Sequence, residues 1–226
     1  MNCYFPGCTA QGTTKEHVPP KSFFPKGERD QLLTVKSCEK HNNQKSKDDI
    51  YVLAQICMNA SPSNRAREVY QTRIAPQLSF KRNALKRRIS KGKKRLPDGT
   101  FKYRVESRRL DCFFDHLCYG LINSSTDMTL PEYFSLSHIY HNLLSNADSS
   151  ELMFQNALKA FYSKQPPEIL DFGTPNLNNE RIYAVRIFGV PNFQSSITIT
   201  HKFFGKFEVT SMLTRITTSI PVTEAG

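Results

Sequence analysis

The chain has 226 residues and a formal net charge of +11, from 31 lysines and arginines against 20 aspartates and glutamates. Such an excess of positive charge attracts polyanions and raises the rate of encounter with them. No apolar run approaches the length of a membrane span, which excludes a membrane protein built on helices. Six cysteines and no visible signal peptide after Met1 argue against a disulfide framework and predict a reducing, cytoplasmic location.

Two pairs of metal-binding residue types open the chain. Cys3 and Cys8 have the spacing of a short zinc knuckle, and Cys38 and His41 have the spacing of one helical turn. Together they form a Cys3His set, a common tetrahedral ligand set for structural zinc. The 29 residues between the pairs leave room for a β-hairpin. We therefore expect zinc here, the alternative being four unrelated residues, two of them in a disulfide.

The first 60 residues are predicted to form a knuckle, a hairpin and a helix. Residues 1–37 should contain the knuckle and the hairpin, and a helix should begin near Cys38 and end at about Met58. Between the ligand pairs lies Glu16-His17, followed by Val18 and two prolines, and Asn42 directly follows His41. A neutral imidazole can accept a proton from water, and carboxylate and amide oxygens suit a hard divalent cation.

In these residues the sequence resembles the HNH (ββα-metal) nuclease family. The family signature reads Asp/Glu-His-hydrophobe-x-Pro, then a strand, then Cys-x2-Cys-Asn-x2-Lys, and the resemblance covers roughly residues 1–58. His41 stands where many members have cysteine, an exchange that zinc tolerates. Gln31 stands near the middle asparagine of the family name, which usually supports the catalytic loop.

The resemblance implies a role for each residue of the motif. His17 is the general base, Glu16 and Asn42 hold a catalytic Mg²⁺ or Mn²⁺, and Lys45 contacts phosphate. Two alternatives stay open. In the first, the helix register shifts by one residue and Asn43 replaces Asn42. In the second, His41 binds the catalytic cation instead of zinc.

The middle of the chain is strongly basic. Helices are predicted at about 64–76 and 80–91, followed by turns at Gly92 and at 97–99. Thirteen cations lie in the segment 81–109 against only two carboxylates, and aromatic residues that can stack on bases interleave with them. We expect this segment to contact phosphates, the alternative being an ordinary solvated basic face. The residues expected to bind nucleic acid are Arg87, Arg88, Lys93, Lys94 and Arg95.

The remaining chain changes from helical to strand periodicity. Helices are predicted at 110–119, 130–145 and 150–163, a strand at 182–188, and a hairpin of 197–200 and 207–213. The fold class is therefore α+β. It comprises an N-terminal zinc-stapled ββα-metal module, a mostly helical segment and a C-terminal antiparallel hairpin or meander. The domain prediction is a nuclease module at 1–60 and a substrate- or partner-binding region at 61–226.

Further cysteines and histidines are interpreted as structural. Cys112, His116 and Cys118 have a spacing that divides them between two faces of a helix, and buried cysteine is common and mostly inert. Cys57 is expected in the core for the same reason. His138 and His141 lack a matching carboxylate pattern, so we expect no metal site there.

These observations predict a metal-dependent endonuclease that hydrolyses DNA, with structural Zn²⁺ and catalytic Mg²⁺ or Mn²⁺. Double-stranded DNA is the expected partner, without a membrane. An RNA-cleaving enzyme with the same site, and a non-enzymatic zinc-stabilised nucleic-acid-binding protein, remain as alternatives. By analogy alone, a small cutting module with a long extension suggests an anti-phage defence or mobile-element nuclease that works with a protein partner.

Overall fold

The computed structural model describes residues 1–29, 32–46, 48–60, 63–143, 149–165, 181–189 and 192–216. Within these residues the fold is mixed α/β, with six α-helices and a four-stranded antiparallel sheet in the C-terminal part. None of the helices in these residues is both long enough and apolar enough to cross a membrane.

The predicted N-terminal hairpin is present. Strand β1 (Thr14–Val18) pairs antiparallel with β2 (Leu33–Ser37), and His17 lies opposite Thr34. Side chains alternate between the two faces of the hairpin, as strand geometry requires. Glu16, Val18, Leu33 and Val35 are buried, whereas Lys15 and Lys36 are exposed on the other face.

The helix predicted from Cys38 to Met58 is two helices in the structure. Helix α1 (Glu39–Ser46) consists entirely of polar residues, whereas α2 (Asp49–Asn59) is mostly apolar and buried. Asp48, at the start of α2, forms an ion pair with Arg109. The two helices therefore differ in what holds them, because only α2 can be stabilised by hydrophobic burial.

The basic middle of the chain is less helical than predicted. Helix α3 (Asn64–Val69) continues through irregular helical turns to Gln77, as expected for 64–76. Helix α4 (Ala84–Ile89) is shorter than the predicted 80–91, because the three residues before it, Lys81 to Asn83, have positive φ angles. Strands β3 (Lys94–Arg95) and β4 (Phe101–Lys102) then form a small hairpin around the predicted turn.

Helix α5 (Ser107–Thr126) lies between the N-terminal hairpin and the C-terminal sheet, and it extends well beyond the predicted 110–119. Its Phe113 stacks on Phe23 at 5.2 Å between ring centroids, and Phe114 contacts Phe203 of the sheet at 6.1 Å. Gly120 lies so close to Val18 of β1 that an added Cβ would come within 2.6 Å of a valine methyl. Glycine therefore permits the close approach of α5 to the hairpin.

The C-terminal sheet contains the predicted strand, the predicted hairpin and a fourth strand that was not predicted. Strands β5 (Phe134–Tyr140), β6 (Tyr183–Phe188), β7 (Ile197–Phe203) and β8 (Phe207–Arg215) are arranged in the order β5-β8-β7-β6. Helix α6 (Ser149–Lys164) matches the prediction for 150–163. Buried apolar residues from the N-terminal hairpin, α5 and this sheet form one continuous core, and the domain division at residue 60 stays a prediction.

The helix predicted at 130–145 is wrong, because the structure places strand β5 there. The residues Phe134-Ser-Leu-Ser-His-Ile-Tyr140 pair with β8 over their whole length, from Phe134 opposite Arg215 to Tyr140 opposite Val209. Along this stretch Phe134, Leu136, His138 and Tyr140 recur at every second position, the period of a strand. Pairing with a distant strand therefore decides the conformation here over local helical preference.

A chain of hydrogen bonds joins α5 to the buried face of the sheet. His138 lies 3.0 Å from the carboxylate of Asp115 and 2.8 Å from the hydroxyl of Ser211. The same hydroxyl lies 3.0 Å from Nε2 of His201, whose Nδ1 lies 2.9 Å from the hydroxyl of Tyr183. Complete burial holds the pKa of His201 well below its ordinary value, so this imidazole is neutral in the core.

We predict that His201 makes the fold acid-sensitive. Its pKa is lower in the folded chain than in the unfolded chain, so the unfolded chain takes up the proton first as pH falls. The contribution of neutral His201 to the free energy of unfolding is complete above about pH 6.5. It decreases below that pH, by at most about 1.4 kcal/mol per pH unit for one proton. Urea unfolding at pH 7, 6 and 5 should show a smaller loss of stability in His201→Gln. Identical pH dependence in the two proteins would contradict the prediction.

Candidate metal centre and active site

The structure brings the four predicted ligands of the N-terminal cluster together. The sulfur atoms of Cys3, Cys8 and Cys38 and a ring nitrogen of His41 all lie within 4.8 Å of one another. All six cysteines of the chain are free thiols, so no disulfide competes for these sulfurs. The cluster could therefore bind a metal ion such as zinc.

The spacing of the donor atoms suits a tetrahedral ion. Nδ1 of His41 lies 3.4 Å from the sulfur of Cys3 and 3.3 Å from that of Cys38. Zinc bonds of about 2.3 Å to sulfur and 2.0–2.1 Å to nitrogen place such donors about 3.6 Å apart in a tetrahedron. The ring of Phe5 stacks on that of His41 at 4.0 Å and an interplanar angle of 13°, which orients the imidazole.

Backbone hydrogen bonds shape the loop that carries the first two cysteines. The amide of Cys3 donates to the carbonyl of Ala10, and the amide of Tyr4 donates to the carbonyl of Lys36 in β2. Gly7, with φ of +67°, turns the chain between the two cysteines in a conformation that glycine adopts without strain. The loop is thus attached to the hairpin, and its thiols face the start of α1.

Two members of the cluster are electrostatically prepared for a cation. The sulfur of Cys38 accepts the backbone N–H of His41, and this hydrogen bond lowers the pKa of the thiol. Burial, with a smaller contribution from the charge of Lys40, lowers the pKa of His41 and favours the neutral imidazole. Burial raises the pKa of the Cys3 thiol, and a bound cation would favour its deprotonated form.

The hairpin and α1 place Glu16 and Asn42 on one side of β1. Nδ2 of Asn42 donates to Oγ1 of Thr14 at 3.1 Å, and Thr14 shares a strand face with Glu16 two residues later. Asn42 can ligate a hard cation through Oδ1, and the bond from Nδ2 to Thr14 fixes the orientation of this amide. Asn43, the alternative residue, is exposed on α1.

Glu16 lies close to a tyrosine that contacts α5. The hydroxyl of Tyr4 lies 2.7 Å from Nδ1 of His116. Burial and the nearby charge of Glu16 raise the pKa of Tyr4 far above its ordinary range, so the hydroxyl stays protonated. The buried carboxylate of Glu16 also acts electrostatically on His41, so it lies near the metal cluster. Its oxygen donors and the amide of Asn42 together suit a hard divalent cation.

His17 lies on the opposite face of the hairpin, half-buried. Lys15 and Lys36 flank it on that face, since they pair across the two strands as His17 pairs with Thr34. A cleft of about 690 Å³ lies beside this face and is lined in part by both lysines. Sequence reasoning missed these two cations, although the alternation of the strands would have placed them once the register was known.

The basic segment presents its predicted cations mostly to solvent. Arg87, Lys93, Lys94 and Arg95 are exposed, and Arg88 is half-buried. Nζ of Lys93 lies 3.9 Å from the ring centroid of Phe101, which is half exposed on the β3–β4 hairpin. Arg109, at the end of the segment, instead forms ion pairs with Asp48 and Glu106. Exposed cations beside an exposed ring form a surface suited to phosphates and bases.

The other predicted residues fall into two groups. Gln31 and the side chain of Lys45 lie outside the residues that the structure describes. Cys57 and Cys118 are buried, and burial raises the pKa of each thiol to about 12, as expected of inert core cysteines. His141 lies 2.9 Å from the hydroxyl of Thr210, a structural contact.

Comparison with known proteins gives no further guide to this site. No family model, curated protein or solved structure matches the chain. The function must therefore be inferred from the residues themselves and from their geometry.

We predict that purified protein contains one metal ion per chain, held by the cluster. Cys8→Ala removes one of four ligands and should release the ion and lower the melting temperature, because a structural metal contributes its binding energy to folding. Elemental analysis and thermal unfolding measure both effects. Cys57→Ala is the matched control, since it removes a buried thiol outside the cluster and should keep the metal. A metal-free, fully folded parent protein would contradict the assignment.

Proposed function

We propose that the chain is a metal-dependent endonuclease of the HNH type, with zinc in the N-terminal cluster and DNA as its substrate. The observation that carries the proposal is the bond from Asn42 to Thr14, which joins α1 to the face of β1 that bears Glu16. It supports a ββα-metal arrangement, in which a hairpin and a helix hold a catalytic cation between them. The neighbouring Cys/His cluster supports the zinc-containing form of that module.

In this proposal Glu16 and Asn42 hold Mg²⁺ or Mn²⁺ beside β1. When bound, the cation neutralises the scissile phosphate and stabilises the leaving oxygen. The hydroxyl of Thr14 orients the amide of Asn42, and burial restricts the position of Glu16. Both ligands are thus positioned before substrate arrives, which reduces the cost of organising the site.

His17 serves as the general base in the proposed mechanism. It follows Glu16 directly, but the alternation of β1 directs the two side chains to opposite faces, so the proposed mechanism requires the strand to rearrange at His17 when substrate binds. A neutral imidazole takes the proton from the attacking water. Lys15 and Lys36, exposed on the same face as His17, and Lys45 of α1 would bind neighbouring phosphates.

The exposed cations of the basic segment would supply affinity for the nucleic-acid backbone. Contacts to phosphate position a nucleic acid without reading its sequence. DNA is the proposed substrate, and because the site itself does not distinguish DNA from RNA, an RNA substrate is tested alongside it. The remaining proposals, a cytoplasmic defence or mobile-element role and a protein partner, follow from analogy alone.

We predict that the proposed base and the proposed cation ligands fail in different ways. His17→Ala should cut about 100- to 10,000-fold more slowly while still binding DNA, because it lacks only a proton acceptor. Glu16→Gln and Asn42→Ala should weaken the cation, so additional Mg²⁺ or Mn²⁺ should partly restore their rates. Plasmid and RNA cleavage across a range of metal concentrations measures these effects.

Glu39→Gln is the matched control for Glu16→Gln, since it neutralises an exposed carboxylate in the first turn of α1. It should cut at the parental rate at every metal concentration. His17→Ala protein that cuts at the parental rate, while the parent still requires added metal, would overturn the proposed mechanism. Cleavage of RNA alone would keep the site and change the substrate.

We predict that the basic segment controls the salt dependence of DNA binding. Each phosphate that the protein no longer neutralises should reduce the slope of log affinity against log salt by about 0.9 on duplex DNA. Replacing Lys93, Lys94 and Arg95 with glutamine should therefore flatten the slope, as measured by fluorescence anisotropy. A control triple, Arg67, Lys164 and Lys206 to glutamine, removes the same charge from exposed positions elsewhere. Equal slopes in the two triple variants would make the segment an ordinary solvated face.

A further inference from the structure

The two faces of the C-terminal sheet differ in chemistry. One face packs against α5 and is largely apolar, apart from the hydrogen-bonded chain through His201. The other face carries polar side chains at alternate positions of β7 and β8, where Thr200, Lys202, Glu208 and Thr210 lie side by side. Helix α6 covers this second face. A sheet face covered by a helix is normally apolar, because burying polar groups costs free energy.

Polar contacts and one aromatic contact hold α6 over this face, where the ring centroids of Tyr162 and Phe188 lie 4.7 Å apart. None of its residues is buried. The hydroxyl of Tyr162 lies 2.8 Å from that of Thr198, and Arg186 of β6 donates to the carbonyl of Gln165 at 2.7 Å. Lys159 forms an ion pair with Glu208. The helix is therefore attached at its sides and at its C-terminal end, and it leaves space above the sheet.

This space is a cavity of about 390 Å³ between α6 and the sheet. Among the described residues that line it are three cations, Lys159, Arg186 and Lys202, and one carboxylate, that of Glu208. Both lysines contact that carboxylate, Lys202 at 3.5 Å, so one lysine is sufficient to balance it. Arg186 uses part of its guanidinium on backbone carbonyls and retains further N–H donors. The described residues of the lining thus carry more positive charge than Glu208 neutralises.

We propose that this cavity binds a small phosphate-bearing ligand of about mononucleotide size. Its volume lies within the range of about 300–1,000 Å³ that small-molecule sites occupy. Guanidinium and ammonium groups form strong charge-assisted hydrogen bonds with phosphate, and the hydroxyls of Tyr162, Thr200 and Thr210 supply further polar contacts. Because α6 covers the face, a nucleic-acid duplex cannot lie on it. The site is therefore separate from the proposed nuclease site.

The test is isothermal titration calorimetry of the full chain with three probes: adenosine monophosphate, inorganic phosphate and adenosine. The monophosphate should bind, and adenosine should bind at least about tenfold more weakly, since it lacks the charged group. Equal affinity for inorganic phosphate would identify the free anion as the ligand recognised, and weaker affinity would identify a phosphate ester. Nuclease activity is not measured, so the result does not depend on the proposed function.

Two variants locate the binding in the cavity. Lys202→Gln, at a half-exposed position, should weaken binding of the monophosphate about tenfold. Ala184→Leu fills the cavity from β6 without changing its charge and should abolish binding, with the melting temperature verifying the fold. Lys206→Gln is the matched control, because Lys206 is exposed on the β7–β8 turn outside the cavity lining, and it should bind as the parent does. The proposal is overturned if neither phosphate probe binds the parent, if adenosine binds as tightly as its monophosphate, or if Lys202→Gln binds as the parent does.

Discussion

The attachment of α1 to the hairpin is the constraint on which the candidate active site depends. All eight residues of α1 are polar, so hydrophobic burial cannot hold this helix. Isolated helices shorter than about 12–15 residues are marginal in water. What fixes α1 is the cluster formed by Cys38 and His41 with two cysteines of the N-terminal loop, together with the bond from Asn42 to Thr14. A metal ion in the cluster would convert this set of contacts into a rigid support for Asn42.

Helix α5 connects this site to the rest of the molecule. Gly120 allows it to lie directly against Val18 at the end of β1, and His116 lies 2.7 Å from the hydroxyl of Tyr4, which is close to Glu16. On its other side, Asp115 begins the chain of hydrogen bonds into the C-terminal sheet. One helix thus packs beside a proposed cation ligand and against the sheet whose far face carries the cavity.

Sequence reasoning succeeded where the signal is local. The four cluster ligands follow from two short spacings, and the N-terminal hairpin and the β7–β8 hairpin follow from alternation and turn residues. It failed for β5, because the partner that makes 134–140 a strand lies about 70 residues later in β8. Lys15 and Lys36 required the cross-strand register, which no local pattern supplies. The cavity under α6 could not be predicted from the sequence either, since its lining combines one helix with side chains from separate strands.

The most direct test is anomalous diffraction from crystals grown with Mn²⁺, recorded on both sides of the zinc absorption edge. Two separate peaks are expected. A zinc peak should lie among the three sulfurs and the imidazole of the Cys3–Cys8–Cys38–His41 cluster, and a manganese peak should lie between the Glu16 carboxylate and Oδ1 of Asn42. A cluster without a metal peak, or manganese bound elsewhere with neither Glu16 nor Asn42 as a ligand, would contradict it.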